Sequence, residues 1–154
     1  MNLLRLKNYL NRKNIDGELV QMEGSVKTCK QASEELEVDI SQIVKSLVFF
    51  INKKPFLLIV SGDRKVDKKK IKKIFDSKTC RLAEKKEVKE VTDYSVGEIP
   101  PVGVDLPIIM DKDVAQKKEI YAGGGSTHHL LRITPNEIIE NNESKIKNIS
   151  KKIP

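Results

Sequence analysis

The run Ser41 to Ile51, SQIVKSLVFFI, is apolar except for a lysine near its start. Val, Ile and Phe suit a pleated, half-buried strand. On a strand, side chains alternate, so Lys45 shares a face with Ile43, Leu47, Phe49 and Ile51. Lysine is rarely buried without a partner. Two readings are open. The stem can lie on apolar surface while the head reaches water. Alternatively, Lys45 is a cation at the floor of a cleft, placed to meet an anion or a polarised oxygen.

A second candidate is Gly97-Glu-Ile-Pro-Pro101, inside SVGEIPPVGVDLP (95–107). Three prolines and two glycines prevent regular structure and give a shaped loop. It is either a plain surface turn or a rigid loop whose backbone N–H groups point into a pocket and stabilise an oxyanion. A third is AGGGSTHH (122–129). It is neither G-x-G-x-x-G nor a P-loop, which argues against nucleoside triphosphate binding. It is a hairpin turn or a place where a ligand nears the backbone. His128 and His129 are adjacent and face opposite ways on a strand, so no metal site is expected. No G-x-S-x-G marks a serine nucleophile.

The flanking elements must position these groups. Leu3, Leu4, Leu6, Leu10 and Ile15 space out as an amphipathic helix ending near Gly17. ELVQME (18–23) alternates as a short strand. Thr28 to Gln31 is a capping box opening a helix through Ala32 and Leu36. Val44–Ile51 and Phe56–Val60 form a hairpin. Asp67 caps a helix burying Ile71, Ile74 and Phe75. Leu82, Ala83, Val88 and Val91 fit a further helix. IIMD (108–111), EIYAGGG (119–125) and HLLRI (129–133) read as strands, and Thr134-Pro-Asn-Glu137 opens a helix. The tail 141–154 reads as loose or weakly helical. The expected whole is one α+β domain over residues 1–154 with a curved mixed sheet flanked by helices.

Lys plus Arg number 29 against 22 Asp plus Glu, a net charge of +7. Such a surface attracts polyanions, nucleic acid first, although Lys and Glu enrichment also accompanies adaptation to heat. Cys29 and Cys80 are far apart and form no C-x-x-C, which fits a reducing cytoplasm. The charged, periodic N-terminus is unlike a signal peptide, and no apolar run approaches a membrane span.

The motifs occur in a recognisable order. SQIVKSLVF resembles the lysine-bearing strand of the YbaK/prolyl-tRNA synthetase-associated editing domain family. TDYSVGEIPPVG is similar to its G-x-x-x-P loop, IYAGGGSTHHLLRITPNEII to its glycine-rich hairpin and closing helix, and TCKQASEELEV to the helix before the lysine strand. The resemblance covers about residues 18–140. It implies a trans-editing hydrolase that deacylates mischarged aminoacyl-tRNA bearing a small amino acid such as Cys or Ala, with tRNA as partner, an aminoacyl-tRNA synthetase as a further candidate partner, and no cofactor. It implies Lys45, Gly97 and Pro101 as catalytic residues, and Ser46, Glu98, Ile99, Pro100, Gly124, Gly125, Ser126 and His129 as substrate-binding ones. The chain departs from the family pattern at Met22, Glu98 and Leu130, so amino-acid specificity does not carry over. The rival functions are a non-catalytic RNA-binding module on the same fold and a hydrolase or binder of small molecules.

Overall fold

The computed structural model describes residues 2–154; Met1 lies outside the described residues. The elements are α1 (Asn2–Arg12), β1 (Gly17–Gln21), α2 (Cys29–Leu36), β2 (Val44–Ile51), β3 (Lys54–Ser61), β4 (Arg64–Val66), α3 (Lys68–Ile74), β5 (Cys80–Leu82), α4 (Lys85–Thr92), β6 (Ile108–Asp111), α5 (Lys112–Ala115), β7 (Ile120–Ser126), β8 (His129–Ile133), α6 (Pro135–Glu140), β9 (Ser144–Lys147) and β10 (Ser150–Lys152). A five-stranded sheet has the order β5-β2-β3-β6-β9, a three-stranded sheet the order β1-β8-β7, and β10 pairs with β4. The large sheet is mixed: β2 and β3 run antiparallel, whereas β3–β6 and β6–β9 are parallel. This is the α+β class expected.

The expected hairpin forms, with Lys45 opposite Val60 and Ile51 opposite Lys54. Asn52 and Lys53 both adopt positive φ, 51° and 68°, the geometry of a two-residue turn that matches strand twist. One face of the hairpin carries Val44, Val48, Leu57 and Ile59 into the larger core with Tyr94, Ile99 and Ile120. The other carries Phe49, Leu58 and Val60 against Ile71 of α3. Thr28 and Gln31 make the reciprocal capping box of α2, and Glu37 at φ 55° ends that helix.

Four expectations need correction, the first being that Ile74 is not buried by α3 but 38% exposed, leaving Ile71 as that helix's buried residue. The first helix stops at Arg12, short of Gly17, because Asn14 takes the left-handed conformation (φ 53°). Leu82 and Ala83 do not belong to a helix. Arg81 pairs with Phe50 in β5 and stacks its guanidinium 4.5 Å from that ring, and α4 starts only at Lys85. The tail is not loose: β9 pairs with β6 and β10 with β4.

The tail is held by a buried carboxyl group. Asp111, 1% exposed, accepts from the Ile149 N–H at 3.0 Å and from the Ser150 hydroxyl at 2.6 Å. Arg64 donates to the Ser150 hydroxyl at 2.7 Å, and Lys70 donates to its carbonyl at 2.6 Å. Asp111→Ala therefore orphans two buried donors, at an expected cost of about 2–4 kcal/mol. Amide exchange should show residues 144–152 opening first. An unchanged melting temperature with a protected tail would contradict this anchor.

Candidate functional site

The cavity forms where β2 has a bare edge. The Gly62 N–H donates to the Ile43 carbonyl at 2.7 Å. In an antiparallel ladder this makes residues 43, 45 and 47 the ones bonded to β3. Residues 44, 46 and 48 then turn their peptide groups to the other side. There β5 pairs only with Phe49–Ile51, and Ala83 donates to the Val48 carbonyl at 2.9 Å. Ile43 makes one isolated parallel bridge to Tyr121 of β7, the edge from Lys45 to Leu47 is left open, and a cavity of about 430 Å³ occupies the space. A cavity of that size suits a small-molecule moiety.

Lys45, Ser46, Gly97 and Ile99 line this cavity together. Lys45 is half-buried and has no carboxylate ion-pair partner among the described residues. Ser46 is 9% exposed, and its hydroxyl is the one buried side-chain polar atom without a hydrogen bond among the described residues. Gly97 has φ +86°, open to glycine at little cost.

The proline-rich loop turns its amide groups selectively. Glu98 uses its N–H on the Ser95 carbonyl at 3.0 Å. Pro100 and Pro101 have no N–H. Within Gly97–Pro101 the N–H groups of Gly97 and Ile99 remain, and neither finds an acceptor among the described residues. Tyr94, 1% exposed, anchors the loop's start, and Thr92 bonds both the Tyr94 N–H and carbonyl. At the far end, Asn142 donates to the Pro101 carbonyl at 3.2 Å.

Glycine contact with β7 fixes the loop's position. A Cβ on Gly123 would lie 2.3 Å from the Ile99 carbonyl oxygen and 2.8 Å from its carbon. The Gly125 N–H donates to the Glu98 carbonyl at 3.0 Å. The loop thus lies flat on a strand surface that only glycine leaves bare.

The remaining expected residues stand off the cavity wall. Glu98 is half-buried, and Pro100 and Pro101 are buried behind the loop. Gly124 backs onto His129 and Leu130 of β8, and Gly125 (φ +88°) onto Leu6 and Tyr94. Ser126 and His129 bond each other, Oγ to Nδ1, at 2.8 Å. Burial, with help from Lys7 and His128, holds the His129 ring below the usual imidazole range.

Other wall residues carried no expectation: Lys27, Cys29, Lys30, Gly62 and Gly123. Burial pushes the Cys29 thiol up, and Lys45 partly pulls it back. Gly62 could have been suspected from its place after an apolar strand. Its Cβ would meet the Cys29 Cβ at 2.8 Å and the Ile40 carbonyl at 2.9 Å, so α2 closes tightly over the strand end.

Residues 23–140 match the model of the aminoacyl-tRNA editing domain. The uncharacterized protein YwhH of Bacillus subtilis is 30% identical over 95% of this chain and 94% of its own length. The proline–tRNA ligase of Bacillus cereus strain AH187 is 34% identical over 71% of this chain, which corresponds to only 20% of the ligase. A solved structure of a proposed trans-editing enzyme for prolyl tRNA synthetase superposes with a TM-score of 0.88 at 30% identity, covering 97% of each chain. The hypothetical protein APE2540 superposes at 0.89 with 27% identity, covering 96% of this chain and 99% of that one. The chain belongs to the aminoacyl-tRNA editing domain family.

Proposed function

We propose that this chain is a trans-editing hydrolase that cleaves the ester between a small amino acid, such as Ala or Cys, and a mischarged tRNA. The observation carrying the proposal is that one cavity is lined by Lys45, which has no ion-pair partner among the described residues, and by Gly97 and Ile99, whose N–H groups have no acceptor among them. Family membership and the likeness to a trans-editing structure support it.

In this reading the Gly97 and Ile99 N–H groups hold the ester carbonyl oxygen and strengthen their hold as it becomes an oxyanion. Lys45 binds the terminal adenosine or its phosphate and orients the ester. The outward C=O of Ser46 on the open edge suits the substrate's ammonium group. Water adds to the carbonyl carbon and gives a proton to the free hydroxyl of the terminal ribose, which passes its own proton to the neighbouring esterified ribose oxygen. The tetrahedral intermediate then expels the esterified ribose oxygen, which leaves protonated as free tRNA. Pro100, Pro101, Gly124 and Gly125 shape the loop from behind. Cavity size sorts near neighbours by only about 1–3 kcal/mol per methylene, so contacts with tRNA or a synthetase partner complete the specificity.

A panel of tRNAs mischarged with alanine, cysteine, serine and larger amino acids tests the proposal. Purified protein should release the small residues and spare the large ones. Failure on every ester would overturn it. Within that assay Glu98→Gln should keep its single-turnover rate within about threefold, because the loop supplies backbone donors and the substrate supplies the base. A dead Gln variant would make Glu98 the general base.

A further inference from the structure

Resting on the tRNA reading above, we propose that the outer face of α3 and the β4–β10 ribbon form the track that holds the double-stranded stem of the substrate tRNA. The first observation is like charge placed face to face. Lys65 of β4 lies directly opposite Lys151 of β10, and like charges at such positions repel. Ser150, on the other side of the ribbon, is buried, so Lys65 and Lys151 point to solvent, and both are exposed. Helix α3 repeats the pattern. Lys68 and Lys72, and Lys69 and Lys73, stand four residues apart and are exposed, a spacing that again sets like charges together.

None of these six lysines joins an ion pair among the described residues. Two nearby acidic groups are already engaged, and a third, Asp76, lies past the helix's end in a left-handed turn (φ 48°). Asp67 caps α3 through the Lys69 and Lys70 N–H groups, and Asp63 accepts from Ser61. Helix α4 shows what a merely solvated helix looks like in this chain: Lys85, Lys86 and Lys89 alternate with Glu84, Glu87 and Glu90. The face of α3 carries no such interleaving, so it repels itself until an anion arrives.

The second observation is continuity with the cavity. Lys45 is opposite Val60 and so shares its sheet face. Val60 packs with Ile71 of α3. Lys45 and α3 therefore occupy the same side of the sheet. Lys65 follows the cavity residue Gly62 by three positions, which places it within about 10 Å along the chain. From there α3 runs to Phe75, whose ring lies 5.8 Å from that of Phe56. The basic track thus starts beside the cavity and extends along β3 for roughly 17 Å. A duplex stem leading away from an aminoacylated end presents phosphates along such a line, and duplex RNA is read mainly by shape and phosphate contacts.

The test compares the full chain with a Lys65→Ala, Lys69→Ala, Lys73→Ala, Lys151→Ala variant on two substrates: alanine-charged tRNA and an alanyl ester of the CCA trinucleotide. On tRNA the variant should show a KM raised by about 10- to 100-fold and a plot of log kcat/KM against log salt shallower by about 3. On the trinucleotide ester it should match the wild type, and its melting temperature should not fall. Equal KM and salt slope on tRNA would overturn the proposal while leaving the editing function standing. If the wild type hydrolyses neither alanyl ester, the cysteine- and serine-charged forms are run, and the editing function falls if those fail too. The track is then judged by anisotropy with uncharged tRNA: lost affinity in the variant supports it, and unchanged affinity overturns it.

Discussion

Gly123→Ala is expected to lower single-turnover deacylation by about 100- to 1000-fold, the range seen when one oxyanion donor is removed. The three atoms the new Cβ would meet, at 2.3, 2.8 and 3.0 Å, all belong to the backbone of Ile99 and Glu98. Backbone cannot rotate aside as a flexible side chain can, so the loop must lift from β7. Lifting breaks the bond from the Gly125 N–H to the Glu98 carbonyl and re-aims the Ile99 N–H. Gly97→Ala is the informative comparison. No atom stands within 4 Å of its Cβ position, so its cost is confined to a positive φ, about 1–2 kcal/mol. The Gly97 variant should be the less damaged of the two in rate. A Gly123→Ala enzyme working at the wild-type rate would show that the loop's seat on β7 is irrelevant to catalysis.

Lys45→Ala is expected to reduce deacylation by about 100-fold or more, equivalent to about 2.7 kcal/mol of lost transition-state stabilisation, with no loss of thermal stability. The two effects separate because the ammonium has no ion-pair partner among the described residues. Its stem lies on the strand face that also carries Leu47 and Phe49. Lys45→Met keeps that stem contact and drops the charge, so it should be inactive and at least as stable as the wild type. Functional residues that a protein keeps against its own stability behave this way. Melting temperature and single-turnover rate on the same preparations decide the matter. A variant that unfolds yet keeps its rate while folded would make Lys45 a structural residue.

Local pattern made parts of this molecule readable and left others hidden. The period-two run around Lys45 gave the hairpin and singled out the one charge on its face. The T-x-x-Q and T-P-N-E signals located the starts of α2 and α6. The tail was missed because its strands carry Lys, Asn and Ser rather than β-branched residues. They pair with β6 and β4, which are distant in sequence, and a buried Asp111 specifies that pairing. Tertiary contacts there override local propensity.

The glycine run was recognised, yet the glycine that lines the cavity and leaves no room for a Cβ against the loop is Gly123, while Gly125 meets the loop only through its N–H. Composition cannot tell which of three consecutive glycines meets another backbone. A register shift between Gly123 and Ser126 further alters the alternation. Likewise, the two prolines mark the loop, but which amides between Gly97 and Pro101 stay free depends on the bond from the Glu98 N–H to the Ser95 carbonyl, which local sequence does not reveal.

The chemistry proposed for the cavity rests on a hydroxyl of the substrate acting in place of a protein base. Two alanine-charged tRNAs differing only at the terminal ribose measure this directly, one with its free vicinal hydroxyl and one with a deoxy sugar at that position. Single-turnover hydrolysis of the first should exceed that of the second by at least about 100-fold, the scale of general-base assistance. Equal hydrolysis of both would contradict substrate assistance and require a base from the protein itself.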